Sequence, residues 1–233
     1  NGLSPAVLVD NDGNGAGDTI YAGDYLGNLW RFESTTAGVW SLGNGGNPIF
    51  RATDPDGKSQ SITSGVYTVA NPLGGTMVIF GTGRYLNADD ADEARIGEGT
   101  RASVESIYGI WDSRMCADDP DTDTDPACAT WTPGQMIGGR VAGVYGDLER
   151  QWITDYTVLA GDGSGGYREA TRNPVDYRTP DAPGGKLGWW LDLTCTGCAT
   201  DLLQGERVIA TPQGVLSDVV FNTFRPRGDA CEP

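Results

Sequence analysis

The sequence predicts an all-β fold: a modified β-propeller, partial or irregular, with long inter-strand loops. Its apolar stretches are short and rich in Val, Ile, Trp and Tyr, and turn residues interrupt them about every ten positions. No window of ~12 residues carries helical periodicity. Aromatic strand ends also recur beside polar or acidic residues, as in Gly27-Asn28-Leu29-Trp30-Arg31-Phe32, Tyr108-Gly109-Ile110-Trp111-Asp112 and Gly188-Trp189-Trp190-Leu191-Asp192-Leu193. Their spacing exceeds the ~40–50 residues of a regular blade, which points to long insertions. A generic β-sandwich stays open as the alternative.

The strands follow in chain order. Residues 6–9, 19–23 and 28–33 are short runs rich in aliphatic and aromatic residues. Runs of the same kind place strands at 65–70, 76–81, 106–112, 151–159, 187–193, 206–211 and 215–222. Three segments read as loops: acidic 87–104; 113–137, with five Asp between 118 and 125; and 161–185, rich in Gly, Pro and Arg. Loops of this length on a β scaffold carry function or move.

Composition narrows the function. Lys and Arg total 16 against 32 Asp and Glu, a formal charge of −16. That balance argues against a nucleic-acid surface, which needs clustered Lys and Arg. Histidine is absent, which excludes Ser-His-Asp and Cys-His sites and His-ligated zinc within this chain. No apolar run approaches the ~20 residues of a transmembrane helix. Apolar residues make up 38%, with seven Trp and nine Tyr, enough for a packed core. The chain opens on Asn1 and stops at Pro233 without a closing element, so it is expected to be a fragment of a longer protein.

Cysteines stand at 116, 128, 195, 198 and 231. Zinc would need a second CxxC or histidines, so structural disulfides in an oxidising, extracytoplasmic compartment are the expectation. Their connectivity stays open.

The sharpest motif is Asp10-Asn11-Asp12-Gly13-Asn14-Gly15-Ala16-Gly17-Asp18. Ca²⁺ takes six to eight hard oxygen ligands, and oxygens at positions 1, 3 and 5 of a tight loop converge on one point. Those positions are Asp10, Asp12 and Asn14; Gly15 allows the reversal, and the Ala16 carbonyl and Asp18 carboxylate close the shell. Position 12 is Tyr21 rather than Glu and both flanks read as strands, so the unit is strand–calcium loop–strand. A bare Asp/Asn/Gly hairpin turn is the alternative.

Other motifs carry less. The alternating Asp119, Asp121, Asp123 and Asp125 lack a reversing glycine and read as a solvated acidic loop rather than a second cation site. Arg227-Gly228-Asp229 is the minimal integrin-recognition tripeptide, and a tripeptide also arises by chance. Most Trp are expected in the core, with Trp131 and Trp152 the better candidates for exposure. No nucleophile elbow or P-loop appears, and no acid stands in an apolar, pKa-raising context.

The calcium loop runs into Tyr21-Ala22-Gly23-Asp24 and Gly27-Asn28-Leu29-Trp30-Arg31-Phe32. Then come Phe80-Gly81-Thr82-Gly83-Arg84-Tyr85-Leu86, Tyr108-Gly109-Ile110-Trp111-Asp112, Gly188-Trp189-Trp190-Leu191-Asp192-Leu193 and Gly205-Glu206-Arg207-Val208. In this order the set resembles the C-terminal propeller domain of the PilY/PilC family of type IV pilus tip-associated proteins, over nearly the whole of residues 1–233.

That resemblance implies a quinoprotein-like modified propeller without enzymatic activity, from a protein exported through periplasm and outer membrane to the cell surface. It implies a role at the pilus tip with the minor pilins, supporting pilus assembly, adhesion and twitching motility. It implies Ca²⁺ held by Asp10, Asp12, Asn14, the Ala16 carbonyl and Asp18, biasing pilus extension against retraction. The Cys116–Cys128 and 161–185 loops depart from the family pattern. On this resemblance the family's final strand and its N-terminal adhesive region are expected to lie outside residues 1–233. A host-receptor or glycan adhesin using the long loops or Arg227-Gly228-Asp229 is the first rival. A quinoprotein-like dehydrogenase or a glycosidase is the second, and the adjacent cysteine pair of many quinoproteins is missing.

Overall fold

The computed structural model describes residues 2–36, 38–86, 90, 104–113, 136–140, 147–158, 166–177, 185–195 and 205–226. Every named element in them is a strand, apart from one 3₁₀ turn at Asn44–Gly46. The first sheet contains β1 (Val7–Val9), β2 (Thr19–Gly23), β3 (Asn28–Thr36) and β4 (Val39–Leu42), in that spatial order. Its pairs are antiparallel, and β5 (Phe50–Arg51) joins the same edge of β3 ahead of β4. This four-stranded meander is the form of a propeller blade.

The second sheet is built from β6 (Tyr67–Ala70), β7 (Thr76–Gly81), β8 (Ser106–Asp112), β9 (Asp147–Val158), β10 (Gly166–Ala170) and β11 (Lys186–Cys195). Their order is β10-β9-β11-β8-β7-β6, because β11 enters between β8 and β9 and lies parallel to β9. Two short pairs complete the described chain: β12 (Arg207–Val208) with β15 (Thr223–Phe224), and the hairpin β13 (Gln213–Val215)–β14 (Asp218–Val220).

The two sheets share one core. Tyr21 and Leu29 of the first and Met77, Val78, Phe80, Tyr108, Ile110 and Trp111 of the second are buried in a single cluster. Phe50, Phe80 and Tyr108 form an aromatic triplet with centroids 5.2–6.3 Å apart. β7 and β8 are buried at every position, their polar Thr76, Ser106 and Asp112 included, so no exposed polar face alternates with a buried one along them.

Three hairpins use one turn design. In Asp24–Asn28, the Asp24 N–H donates to the Asn28 carbonyl and the Gly27 N–H to the Asp24 carbonyl. The Asp24 carboxylate accepts the Leu26 and Asn28 N–H groups at 2.8 and 2.9 Å. Asp54–Lys58 and Asn71–Gly75 repeat the arrangement. A glycine with positive φ stands fourth each time, Gly27, Gly57 and Gly74, the three-residue turn with a bulge. At Gly27 the demand is also steric: a Cβ would lie 2.6 Å from the Gln60 carbonyl oxygen and 2.8 Å from that of Ala52.

Several sequence expectations need correction. The strand expected at 215–222 is a hairpin that reverses at Leu216, whose φ is +56°. Leu216 is fully exposed, so apolarity there reflects no burial. The loop expected over 161–185 contains β10, whose backbone pairs with β9. β4 and β5 were not expected; β4 is exposed at all four positions and shows no buried face to reveal it.

Candidate metal centre

β1 and β2 pair through Val7↔Tyr21, Leu8↔Ile20 and Val9↔Thr19, so residues 10–18 form the closed end of a hairpin. The Asp18 N–H donates to the Val9 carbonyl at 2.9 Å and fixes the loop's two ends together. Polar side chains then hold the loop from within. Asp10 accepts the Gly13 and Gly15 N–H groups, both at 2.8 Å. Asp12 accepts the Asn14 N–H at 3.0 Å and Asn14 Nδ2 at 2.6 Å. Asp18 accepts the Asn11 N–H at 2.8 Å. Gly15 has φ +88° and open space beside it, so its backbone conformation, not crowding, requires glycine there.

The result brings carboxylate oxygens of Asp10, Asp12 and Asp18 within 4.8 Å of one another. Two oxygens 2.3–2.6 Å from a common Ca²⁺ lie at most about 5 Å apart, so this grouping is compatible with a shared ion. The donor set is all oxygen and groups three carboxylates, which suits a hard divalent cation. The Gly15 N–H holds the Asp10 carboxyl below the usual carboxylate range; desolvation opposes it, and the Gly13 N–H, the Asp12 side chain and the Asn14 N–H add to the lowering. The site is open to solvent, with Asp10 and Asp12 exposed and Asp18 half-buried.

Of the five residues expected as ligands, the structure groups the three aspartates. Asn14 and Ala16 lie in the same exposed loop, but Asn14 Oδ1 accepts the Ala16 N–H at 2.7 Å. That amide must turn or share its oxygen to reach an ion. Sequence reasoning passed over Asn11, whose Nδ2 donates to Thr19 Oγ1 at 2.8 Å while its N–H holds Asp18. Thr19 is fully buried, so Asn11 anchors the exposed loop to the sheet.

Arg227, Gly228 and Asp229 lie outside the described residues, as do Trp131, the 118–125 acidic run and Cys116, Cys128, Cys198 and Cys231. Trp152 is exposed as expected, whereas Trp111 and Trp190 are core residues. Among the described residues no helix is long and apolar enough to cross a membrane.

A family model described as the PilY1 β-propeller domain matches residues 1–124. The type IV pilus biogenesis factor PilY1 of Pseudomonas aeruginosa PAO1 is 31% identical over 255 residues, covering 99% of this chain and 19% of that protein. A PilY1 homolog of Xylella fastidiosa Temecula1 is 32% identical over 235 residues, covering 97% of this chain and 13% of its own length. The chain thus spans under a fifth of these curated relatives. The crystal structure of the Pseudomonas aeruginosa PilY1 C-terminal domain superposes with a TM-score of 0.68 at 28% identity, covering 96% of this chain and 45% of that one.

Proposed function

The chain belongs to the PilY1 β-propeller family, and from that premise we propose that it is a calcium-responsive module of a type IV pilus tip factor. The fold is a modified β-propeller like that of the PilY1 C-terminal domain, and the domain is a type IV pilus biogenesis factor domain. The observation that carries the calcium reading is the grouping of Asp10, Asp12 and Asp18 at the end of one hairpin, at a spacing that fits a Ca²⁺ shell.

Asp10, Asp12 and Asp18 would hold the ion, with the Asn14 amide oxygen and the Ala16 carbonyl completing its shell. The ion supplies positive charge that offsets the mutual repulsion of three carboxylates. The chain's own residues do the rest. Gly13 and Gly15 orient Asp10, Asn11 orients Asp18, and β1, β2 and β3 give the loop a fixed base. With the loop locked, this end of the blade becomes a defined surface for a protein neighbour at the pilus tip, the minor pilins on this reading. With the loop loose, that surface is lost. The module is non-catalytic, acts outside the cell at the pilus tip, and supports assembly, twitching motility and surface adhesion. Through it calcium biases extension against retraction.

The test is complementation. In a bacterium lacking its own copy, the full-length protein should restore surface pili and twitching in calcium-containing medium. The Asp18→Ala version should restore pili but lose the calcium dependence of twitching. Calcium-dependent twitching that is unchanged by Asp18→Ala would sink the proposal.

A further inference from the structure

We propose that Asp112 of β8 is a positioning residue for the calcium hairpin, so that occupancy of the 10–18 loop and order of the second sheet are coupled through Tyr21 and Arg31. The inference rests on the calcium reading above.

The connection is short and buried. Asp18 closes the loop and sits between both neighbouring strands: its N–H donates to the Val9 carbonyl and its carbonyl accepts the Ser34 N–H, each at 2.9 Å. The next residue, Thr19, pairs with Glu33, and Tyr21 pairs with Arg31 across the same two strands. Tyr21 and Arg31 then grip one carboxylate from the other sheet. The Tyr21 hydroxyl donates to Asp112 Oδ2 at 3.0 Å. Arg31 Nη1 donates to both Asp112 oxygens, at 2.9 and 3.1 Å. Arg31 Nη2 lies 2.5 Å from the Glu33 carboxylate.

Asp112 is fully buried, and 91 residues separate it from Tyr21. Water cannot replace a donor that moves away from it, and hydrogen bonds of this kind weaken steeply with misalignment. The β2–β3 pair therefore has one well-satisfied placement against β8. A loop held by an ion favours that placement through Asp18 and Thr19. A loop whose carboxylates repel one another works against it. Such coupling is reciprocal: if the ion steadies β8, then Asp112 and its partners raise affinity for the ion.

The test is hydrogen–deuterium exchange on the purified protein, calcium-loaded against chelator-treated, read at residues 106–112, with calorimetry of Ca²⁺ alongside. Calcium should slow exchange in β8 by about fivefold or more. Tyr21→Phe, which keeps the ring and removes one hydroxyl, should lose most of that slowing and weaken calcium binding in step. Asp112→Asn gives a second variant if that one misfolds. Tyr108→Phe is the control: it removes a buried hydroxyl from the same strand, one that bonds Gln60 instead, and should keep the full calcium response. Calcium binding with no change in β8 exchange overturns the coupling alone and leaves the metal site standing. So does an equal loss of response in Tyr108→Phe, which would mark general loosening. No calcium binding at all overturns the calcium reading and the coupling with it.

Discussion

Replacing Asp24 with Asn changes one atom in a buried turn and is expected to be costly. Asp24 is 1% exposed, and its carboxylate accepts four N–H groups. Oδ1 takes the Leu26 and Asn28 backbone N–H groups at 2.8 and 2.9 Å. Oδ2 takes Asn28 Nδ2 and Trp30 Nε1, both at 2.9 Å. An asparagine can keep its oxygen on the backbone pair, but its NH₂ then faces two donors that lose their acceptor. At about 1–3 kcal/mol for each stranded group, the loss is about 2–6 kcal/mol, a large share of a typical stability of about 5–15 kcal/mol.

Acid gives the reasoning a second check. Burial pushes the Asp24 pKa up, but the donors from Asn28, Trp30 and Leu26 outweigh it and hold the value below the ordinary one. A group with a lowered folded-state pKa stabilises fully above its unfolded value, about 3.9, and that stabilisation is lost as pH falls through the folded value. Urea unfolding followed by far-UV circular dichroism should show the full gap between wild type and Asp24→Asn at pH 7. The gap should narrow only below about pH 3.9. A gap under about 0.5 kcal/mol at pH 7, the ordinary range for a surface substitution, would refute the reasoning. So would a gap that stays constant into acid.

Other expectations follow from single residues. Gly27→Ala combines a positive φ of 79° with contacts of 2.6 and 2.8 Å to backbone oxygens; it should lower stability by more than the ~1 kcal/mol of φ strain alone, read as a shifted urea midpoint. Asp112→Leu removes one of the two carboxylates that pair with the buried Arg31 guanidinium and the acceptor of the Tyr21 hydroxyl, which should cost about 3–5 kcal/mol by the same assay. Leu216→Gly should raise stability by about 0.5–1 kcal/mol, because Leu216 holds φ +56° while fully exposed. Gly15→Ala meets no neighbouring atom but must hold φ +88°, so it should cost about 1 kcal/mol of stability from backbone strain alone, read as a lower urea midpoint, and calorimetry should show weaker calcium binding.

Several central strands were legible because they are short runs rich in β-branched and aromatic residues between turn residues. Thr19–Gly23, Thr76–Gly81 and Ser106–Asp112 fall where the sequence places them. The grouping of carboxylates in the 10–18 loop was legible because local spacing alone sets which of them converge, and Asp10, Asp12 and Asp18 do. What escaped was non-local. β4 has no buried face, so no alternation marks it. Leu216 and Val215 are apolar without being core, which turned a hairpin into an apparent strand. The parallel entry of β11 beside β9 depends on which edge β8 leaves open, and no short window records that. Asp24 and Asp112 read as ordinary acids at strand ends until their partners from other strands are in place. For Asp24 a signal was present: Asp24-x-x-Gly27, Asp54-x-x-Gly57 and Asn71-x-x-Gly74 repeat one turn pattern. For Asp112 there was none, since Tyr21 and Arg31 are 91 and 81 residues away.

The most direct test is isothermal calorimetry of Ca²⁺ into chelator-treated protein, repeated with Mg²⁺ and with Asp18→Ala. The account predicts one site that prefers calcium and is lost with Asp18→Ala. No binding heat, or calcium binding that Asp18→Ala leaves untouched, would contradict it and reduce residues 10–18 to a hairpin turn.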